Sequence, residues 1–169
     1  MSTSPPSFIT DSPVHTAAVT IRPAPLDSPA AQALIAALNA ELIALYPQPG
    51  ATHFRLDPAE VAEGRGAFVI AWHEGFPIGC GAVRCLDPAT AELKRMYVAP
   101  EGRGRGIGHQ LLATLEQEAR QLGVQRLVLE TGIHQIAALA LYARAGFVTI
   151  PAFGEYVGSD TSICMAKSL

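Results

Sequence analysis

The chain has 169 residues, enough for one domain and short for two. Hydrophobic residues make up 49% and charged residues 16%, which excludes a disordered or low-complexity chain over most of its length. With 12 Lys and Arg against 15 Asp and Glu, the net charge is −3, and the basic excess of a general nucleic-acid binder is missing.

Residues 1–18 are rich in Ser, Thr and Pro and read as a flexible tail, with neither the basic start nor the apolar block of a secretory signal. Residues 19–169 read as a single domain. Val19 to Arg22 predicts a short strand. Asp27 or Ser28 can cap a helix with Pro29 in its first turn, running to about Tyr46 with Leu34, Leu38, Leu42 and Leu45 on one face. The apolar stretch Ala30 to Leu45 is too short and too polar for a bilayer. Asp57-Pro58 starts a short second helix. Ala67 to Trp72 and Ile78 to Leu86 flank a Glu74-Gly75 turn and predict a hairpin, followed by a third strand over Ala91 to Val98. A Gly-rich turn leads into a helix from Gly106 to Leu122, ended by Gly123. A strand (Val124 to Thr131), a helix (Gln135 to Ala145) and two short strands (Phe147 to Ile150, Ser162 to Ala166) complete a mixed α/β (α+β) layer built on one sheet.

Cys80, Cys85 and Cys164 cannot all pair. The apolar runs around the first two predict buried, reduced thiols in a cytoplasmic protein. Their spacing fits no zinc pattern, so no metal is expected.

The chemistry gathers at Arg103-Gly104-Arg105-Gly106-Ile107-Gly108, between a strand and a helix. Small residues let several N–H groups point into one concavity, and the helix adds its own unpaired N–H groups and positive dipole end. Such a site suits a phosphate or diphosphate. The P-loop needs a Lys and a Ser or Thr that are absent, and G-x-G-x-x-G fails in every frame. A tight turn without ligand and a site for another phosphate-bearing ligand remain as readings of these residues alone.

Arg103, Gly106 and Gly108, after a strand ending Met96-Tyr97-Val98-Ala99-Pro100, form an R-x-x-G-x-G that resembles the acetyl-CoA signature of the GNAT acetyltransferases. About 35 residues on, Leu141-Tyr142-Ala143-Arg144-Ala145-Gly146-Phe147 is similar to that superfamily's L-Y-x-x-x-G-F motif. The element order from Val19 onward matches as well, and Ile150 to Tyr156 resembles a subgroup of uncharacterised bacterial members.

The resemblance implies the GNAT acyl-CoA N-acyltransferase fold: a mixed, mostly antiparallel sheet of six or seven strands, splayed between two central parallel strands, with helices on both faces. It implies acetyl-CoA as co-substrate, with its pantetheine arm paired to backbone near Met96, Tyr97 and Val98 and its diphosphate on Arg103, Gly104, Arg105, Gly106, Ile107, Gly108 and His109. Arg105 can equally be solvated. Gln135 stands where the family often has Asn, and Arg144 lies either near the nucleotide or on the free surface.

The resemblance further implies N-acetyl transfer to a primary amine of a small molecule, amino acid or protein. An alkylamine has a pKa near ~10, so its proton must be removed, and the leaving thiolate needs a donor. Tyr142 fits the donor. Glu92, 11 residues before Arg103, is the first candidate base. Glu130 and His134 follow, and ordered water can serve instead. Alternation along the strand puts Glu92, Lys94, Met96 and Val98 on one face unless a bulge intervenes. No cysteine lies in either motif, so direct transfer is expected rather than an acyl-enzyme. Tyr46, His53, Phe153 and Tyr156 are candidate acceptor-pocket residues, Phe54 is expected to close the core edge, and Glu41 and Glu155 could meet a cationic amine. A catalytically silent acyl-CoA-binding regulatory module of the same fold is the alternative. No nucleic acid or membrane partner is expected, and a homodimer is left open.

Overall fold

The computed structural model describes residues 17–53 and 55–169; Phe54 and most of the N-terminal tail lie outside the described residues. Among the described residues, seven strands form one sheet. They are β1 (Thr20–Pro23), β2 (Gly66–His73), β3 (Phe76–Cys85), β4 (Thr90–Val98), β5 (Arg126–Gly132), β6 (Val148–Ile150) and β7 (Ser162–Ser168), in the order β1-β2-β3-β4-β5-β7-β6. Every pairing is antiparallel except β4 with β5.

Three helices cover the sheet: α1 (Pro29–Leu45), α2 (Ile107–Gln121) and α3 (Ile136–Arg144). Ser28 caps α1, its side-chain oxygen accepting from the Ala31 N–H at 3.3 Å, and Pro29 occupies the first helical position. Leu34 and Leu38 of α1 pack with Phe68, Ile70, Cys80, Ala82 and Tyr97 on one face of the sheet. On the other face, Ile107, Leu111, Leu112, Leu115 and Ala119 of α2 meet Val69, Val83, Leu93 and Leu129, joined by Tyr142 of α3. The 3- and 4-residue spacing of the buried α2 positions is the apolar stripe that the sequence carries. The expected second helix at Asp57-Pro58 is a single 3-10 turn over Pro58–Val61. Pro58 pre-sets its first residue, but the apolar positions needed to extend it are missing.

Two features of β4 position the site. It pairs with β5 from Thr90↔Arg126 to Leu93↔Leu129, and beyond that register the two strands part. It also carries a bulge: Cys80 pairs with Tyr97, but Ala82 pairs with Lys94, so β4 holds one extra residue. Arg95 takes a left-handed backbone there, at φ 58°. The expected alternation is therefore broken. Glu92 and Lys94 share the α1 face with Ala82, whereas Met96 and Val98 lie on the α2 face.

Candidate active site

Where β4 and β5 separate, a cavity of about 520 Å³ opens between the end of β4, the Gly-rich turn and the start of α3. The Ala99 N–H donates to Ile78 O of β3 at 2.9 Å, so alternation turns the N–H and C=O of Val98 toward the gap. Gly104 and Gly106 have φ of 73° and 75°, a left-handed conformation that glycine adopts without a Cβ penalty. A Cβ at either would meet nothing within 4 Å, so this stretch of main chain borders open space. Gly106 caps α2 without a side chain to accept its first-turn N–H groups, which leaves them for an anion.

Met96, Tyr97, Val98, Arg103, Gly104, Gly106, Ile107, Gly108 and Gln135 all line this cavity. Arg105, His109 and Arg144 do not. They are exposed, with the Arg105 guanidinium 3.1 Å from His73 Nε2. Arg103 is already engaged: its guanidinium pairs with both oxygens of Glu41 at 2.7 and 2.8 Å, and its Nε donates to Val98 O at 2.9 Å. Glu41, a candidate for meeting an amine, thus ties α1 to the turn. Gln135 is the N-cap residue of α3, but its side chain turns back to β5 instead of capping the helix: its Oε1 accepts from the Gly132 N–H at 2.8 Å and from Thr131 Oγ1 at 3.2 Å.

A second, smaller chamber of about 80 Å³ lies beyond Met96, on the β5 side, and shares Leu38, Met96, Gln135, Ala138 and Tyr142 with the first. Tyr142 stands at the junction. Its ring packs edge-on against Phe147, with centroids 5.8 Å apart. Burial, reinforced by the negative charge of Glu130, pushes its phenol well above the usual range, so it stays protonated and can donate.

Glu130 lines the smaller chamber. Burial raises its carboxyl above the ordinary range, opposed by a hydrogen bond from Ser162 and by the charges of His53 and Lys94. Glu92, the first-named base, sits elsewhere. It is 1% exposed, its Oε2 accepts from Arg84 Nε at 2.9 Å and Arg84 Nη2 at 2.7 Å, and its Oε1 accepts from the Tyr156 hydroxyl at 2.6 Å. Arg84 also holds Glu60 at 2.6 Å. The Glu92 carboxylate borders a different surface pocket, beside Phe153, and reaches the chamber through Tyr156.

His53 and Tyr156 line the chamber, their rings edge to face at 5.0 Å. Phe153 supports Tyr156 from outside at 5.3 Å. Tyr46 is a correction: it borders neither cavity. Its ring lies across Gly132, where any Cβ would collide with it, and its oxygen accepts from the His134 N–H at 2.9 Å. It pins the end of α1 to the end of β5. Lys94 and Arg95 are chamber residues that the sequence reading passed over. Their signal was present: the run Glu92-Leu93-Lys94-Arg95 places three charges inside an otherwise apolar strand.

All three cysteines are free thiols. Burial raises each, Cys80 to about 12, and Cys80 Sγ donates to Arg95 O at 3.4 Å. None borders either cavity. Among the described residues no cluster of His, Cys, Asp and Glu is disposed to hold a metal, and no helix is long and apolar enough to cross a membrane.

The profile of the Acetyltransferase (GNAT) family matches residues 31–147. The chain belongs to the GNAT acetyltransferases. An IAA acetyltransferase of Azospirillum brasilense is 39% identical over 149 residues, 88% of this chain and 95% of its own. A solved Klebsiella pneumoniae chain, provisionally described as an acyl-CoA N-acyltransferase, is 37% identical, with a TM-score of 0.76 over 89% of this chain and 97% of its own. A GNAT family acetyltransferase of Elizabethkingia anophelis, solved with acetyl-CoA bound, shares the fold at a TM-score of 0.63 and 23% identity, covering 89% of this chain and 98% of its own. As a member of this family, the chain is an N-acetyltransferase, and its seven-stranded splayed sheet is the family's fold.

Proposed function

We propose that this GNAT N-acetyltransferase moves an acetyl group directly from acetyl-CoA to a primary amine, within a catalytic unit spanning residues 19–169 and in a reducing, cytoplasmic setting. The observation that carries the reading is that the two cavities share Tyr142 in their walls, with a half-buried carboxylate, Glu130, lining the smaller one. The larger cavity fits acetyl-CoA: its turn is bare main chain where a diphosphate would approach, and the Val98 edge is free of β5.

Acetyl-CoA, when bound, supplies an acyl thioester. Gly104, Gly106 and the first turn of α2 hold its diphosphate by N–H donation. Arg103 must yield part of its Glu41 pairing to add charge there. The Val98 N–H donates to the carbonyl oxygen under attack, in the manner of an oxyanion donor. Glu130 accepts the proton of the acceptor amine, its raised pKa bringing it closer to the working pH of a base. Tyr142 donates to the leaving sulfur. The three neutral thiols away from the cavities give no nucleophile for an acyl-enzyme, which supports direct transfer.

Thiol release from acetyl-CoA over an amine panel tests this reading, alongside calorimetry with acetyl-CoA. Turnover that collapses in Tyr142→Phe while cofactor affinity holds supports it. Tight cofactor binding without turnover on any amine would instead identify a silent acyl-CoA-binding module.

A further inference from the structure

We propose that the amine acceptor carries a carboxylate, as an amino acid does, and that Lys94 binds that carboxylate in the small chamber. The inference rests on the direct-transfer reading above and adds the substrate class. The ionised side chains lining the chamber are Lys94, Arg95 and Glu130, with His53 beside them. Two cations and one carboxylate face a space of about 80 Å³, room for two or three waters or a small polar head, and too little for a folded surface.

Lys94 is built into this wall. Its side chain is 4% exposed, a costly position for an ammonium unless it is paired. Its Nζ donates to the Tyr156 hydroxyl at 3.2 Å and to Glu155 Oε1 at 3.4 Å, both long bonds, and Glu155, 42% exposed, borders the surface pocket beside Phe153. The Tyr156 hydroxyl is committed to Glu92 as donor, so toward Lys94 it acts as acceptor. An ammonium has three N–H donors, which leaves one for a ligand. The nearby carboxylates are otherwise accounted for. Glu92 and Glu60 clamp Arg84 outside the chamber, and Glu41 holds Arg103 on the cofactor side. Arg95 adds a second cation on the same wall, its Nη2 donating to Asn39 Oδ1 of α1.

A simple alkylammonium entering this chamber would meet Lys94 and Arg95 as like charges. A zwitterion meets opposite charges at both ends, its carboxylate toward Lys94 and its amine toward Glu130. Leu38 and Leu42 supply an apolar wall for the remaining side chain. The amine to be acetylated is thereby aimed at the base.

The experiment compares the protein amino acids with their primary amides as acceptors for acetyl-CoA. The α-amino group of an amide has a pKa of about 8, lower than that of the free amino acid, so intrinsic reactivity favours the amide. A preference for the acid must then come from the site. We expect the best acid to exceed its amide in kcat/KM by about 100-fold, the difference lying in KM, consistent with one buried charge pair. In Lys94→Met that ratio falls to within about threefold, and Lys94→Arg restores part of it. Amides, or amines lacking a carboxylate, turning over as well as the acids would overturn the carboxylate assignment and leave the acetyltransferase reading intact. Absence of turnover with every acceptor would count against the reading itself. Calorimetry of acids and amides on CoA-loaded protein then decides the carboxylate question: acid-selective binding lost in Lys94→Met supports it, and equal or absent binding overturns it.

Discussion

Around the splayed strands, the larger cavity borders bare main chain at Gly104 and Gly106 and the end of β4 as well as residues of α1 and α3, whereas the smaller chamber, lined by residues of α1, β4, β5, α3 and the 3-10 turn at Gly154–Tyr156, gathers the charged side chains Lys94, Arg95 and Glu130. On the proposed reading, the first wall meets what every acyl-CoA shares, a diphosphate and an amide-bearing arm, at its glycine turn and β4 edge. The second can change with a few substitutions while the fold stays. Family membership therefore speaks to the donor, and the acceptor is read from five elements meeting in space.

If the two halves are separable, substitutions should divide into those that change turnover and those that change cofactor binding. The largest effect is expected from Glu130→Gln, with kcat falling about 1,000-fold and acetyl-CoA affinity by calorimetry unchanged. A comparable loss of affinity would mean that the chamber and the cofactor cavity are one unit. The pH dependence follows from the raised carboxyl. Wild-type kcat climbs as Glu130 ionises, above the ordinary carboxylate range, and the variant lacks that limb. The same shift has a stability consequence. A carboxyl whose folded pKa lies above its unfolded value stabilises at low pH and loses that contribution as pH rises through the folded pKa. Thermal unfolding of Glu130→Gln should therefore gain on wild type as pH rises from the ordinary carboxylate range through the folded pKa.

Next in size is Tyr142→Phe, for which kcat should fall about 100-fold with acetyl-CoA affinity retained. Substrates with a better leaving thiol should suffer less, which a series of acyl thioesters measures. On the other side of the division, Gly106→Ala forces a Cβ onto a left-handed backbone at a cost of about 1–2 kcal/mol. Acetyl-CoA binding by calorimetry should weaken about tenfold, with kcat at saturation preserved. The smallest effect is structural. Tyr46→Phe removes the acceptor for the His134 N–H and should lower stability by about 1 kcal/mol, a fall of about 2–4 °C in Tm by calorimetry, with little change in either cavity.

Lys94 and Tyr46 show how far the chain could be read unaided. Tyr46 looked like a pocket residue because it ends a helix near the expected acceptor side, but the absent side chain at Gly132 draws its ring across β5. Lys94 looked like one of four residues on a single strand face, but the bulge at Arg95 separates it from Met96 and brings two cations to one wall. Glu92 held the expected offset from Arg103, yet Arg84, opposite it on β3, closes around its carboxylate.

The strands, the amphipathic α2, the Ser28 cap and the Gly-rich turn were legible in the chain because each depends on residues a few positions apart: a period, a cap, a run of glycines. The splay between β4 and β5, the bulge and the placing of Glu130, not Glu92, against the smaller chamber were decided by tertiary structure. They depend on how β4, β5 and β7, with partners 30 to 42 residues apart, pair and where that pairing stops, and on where β3 and β4, with partners 12 to 17 residues apart, lose register, and no local periodicity records it.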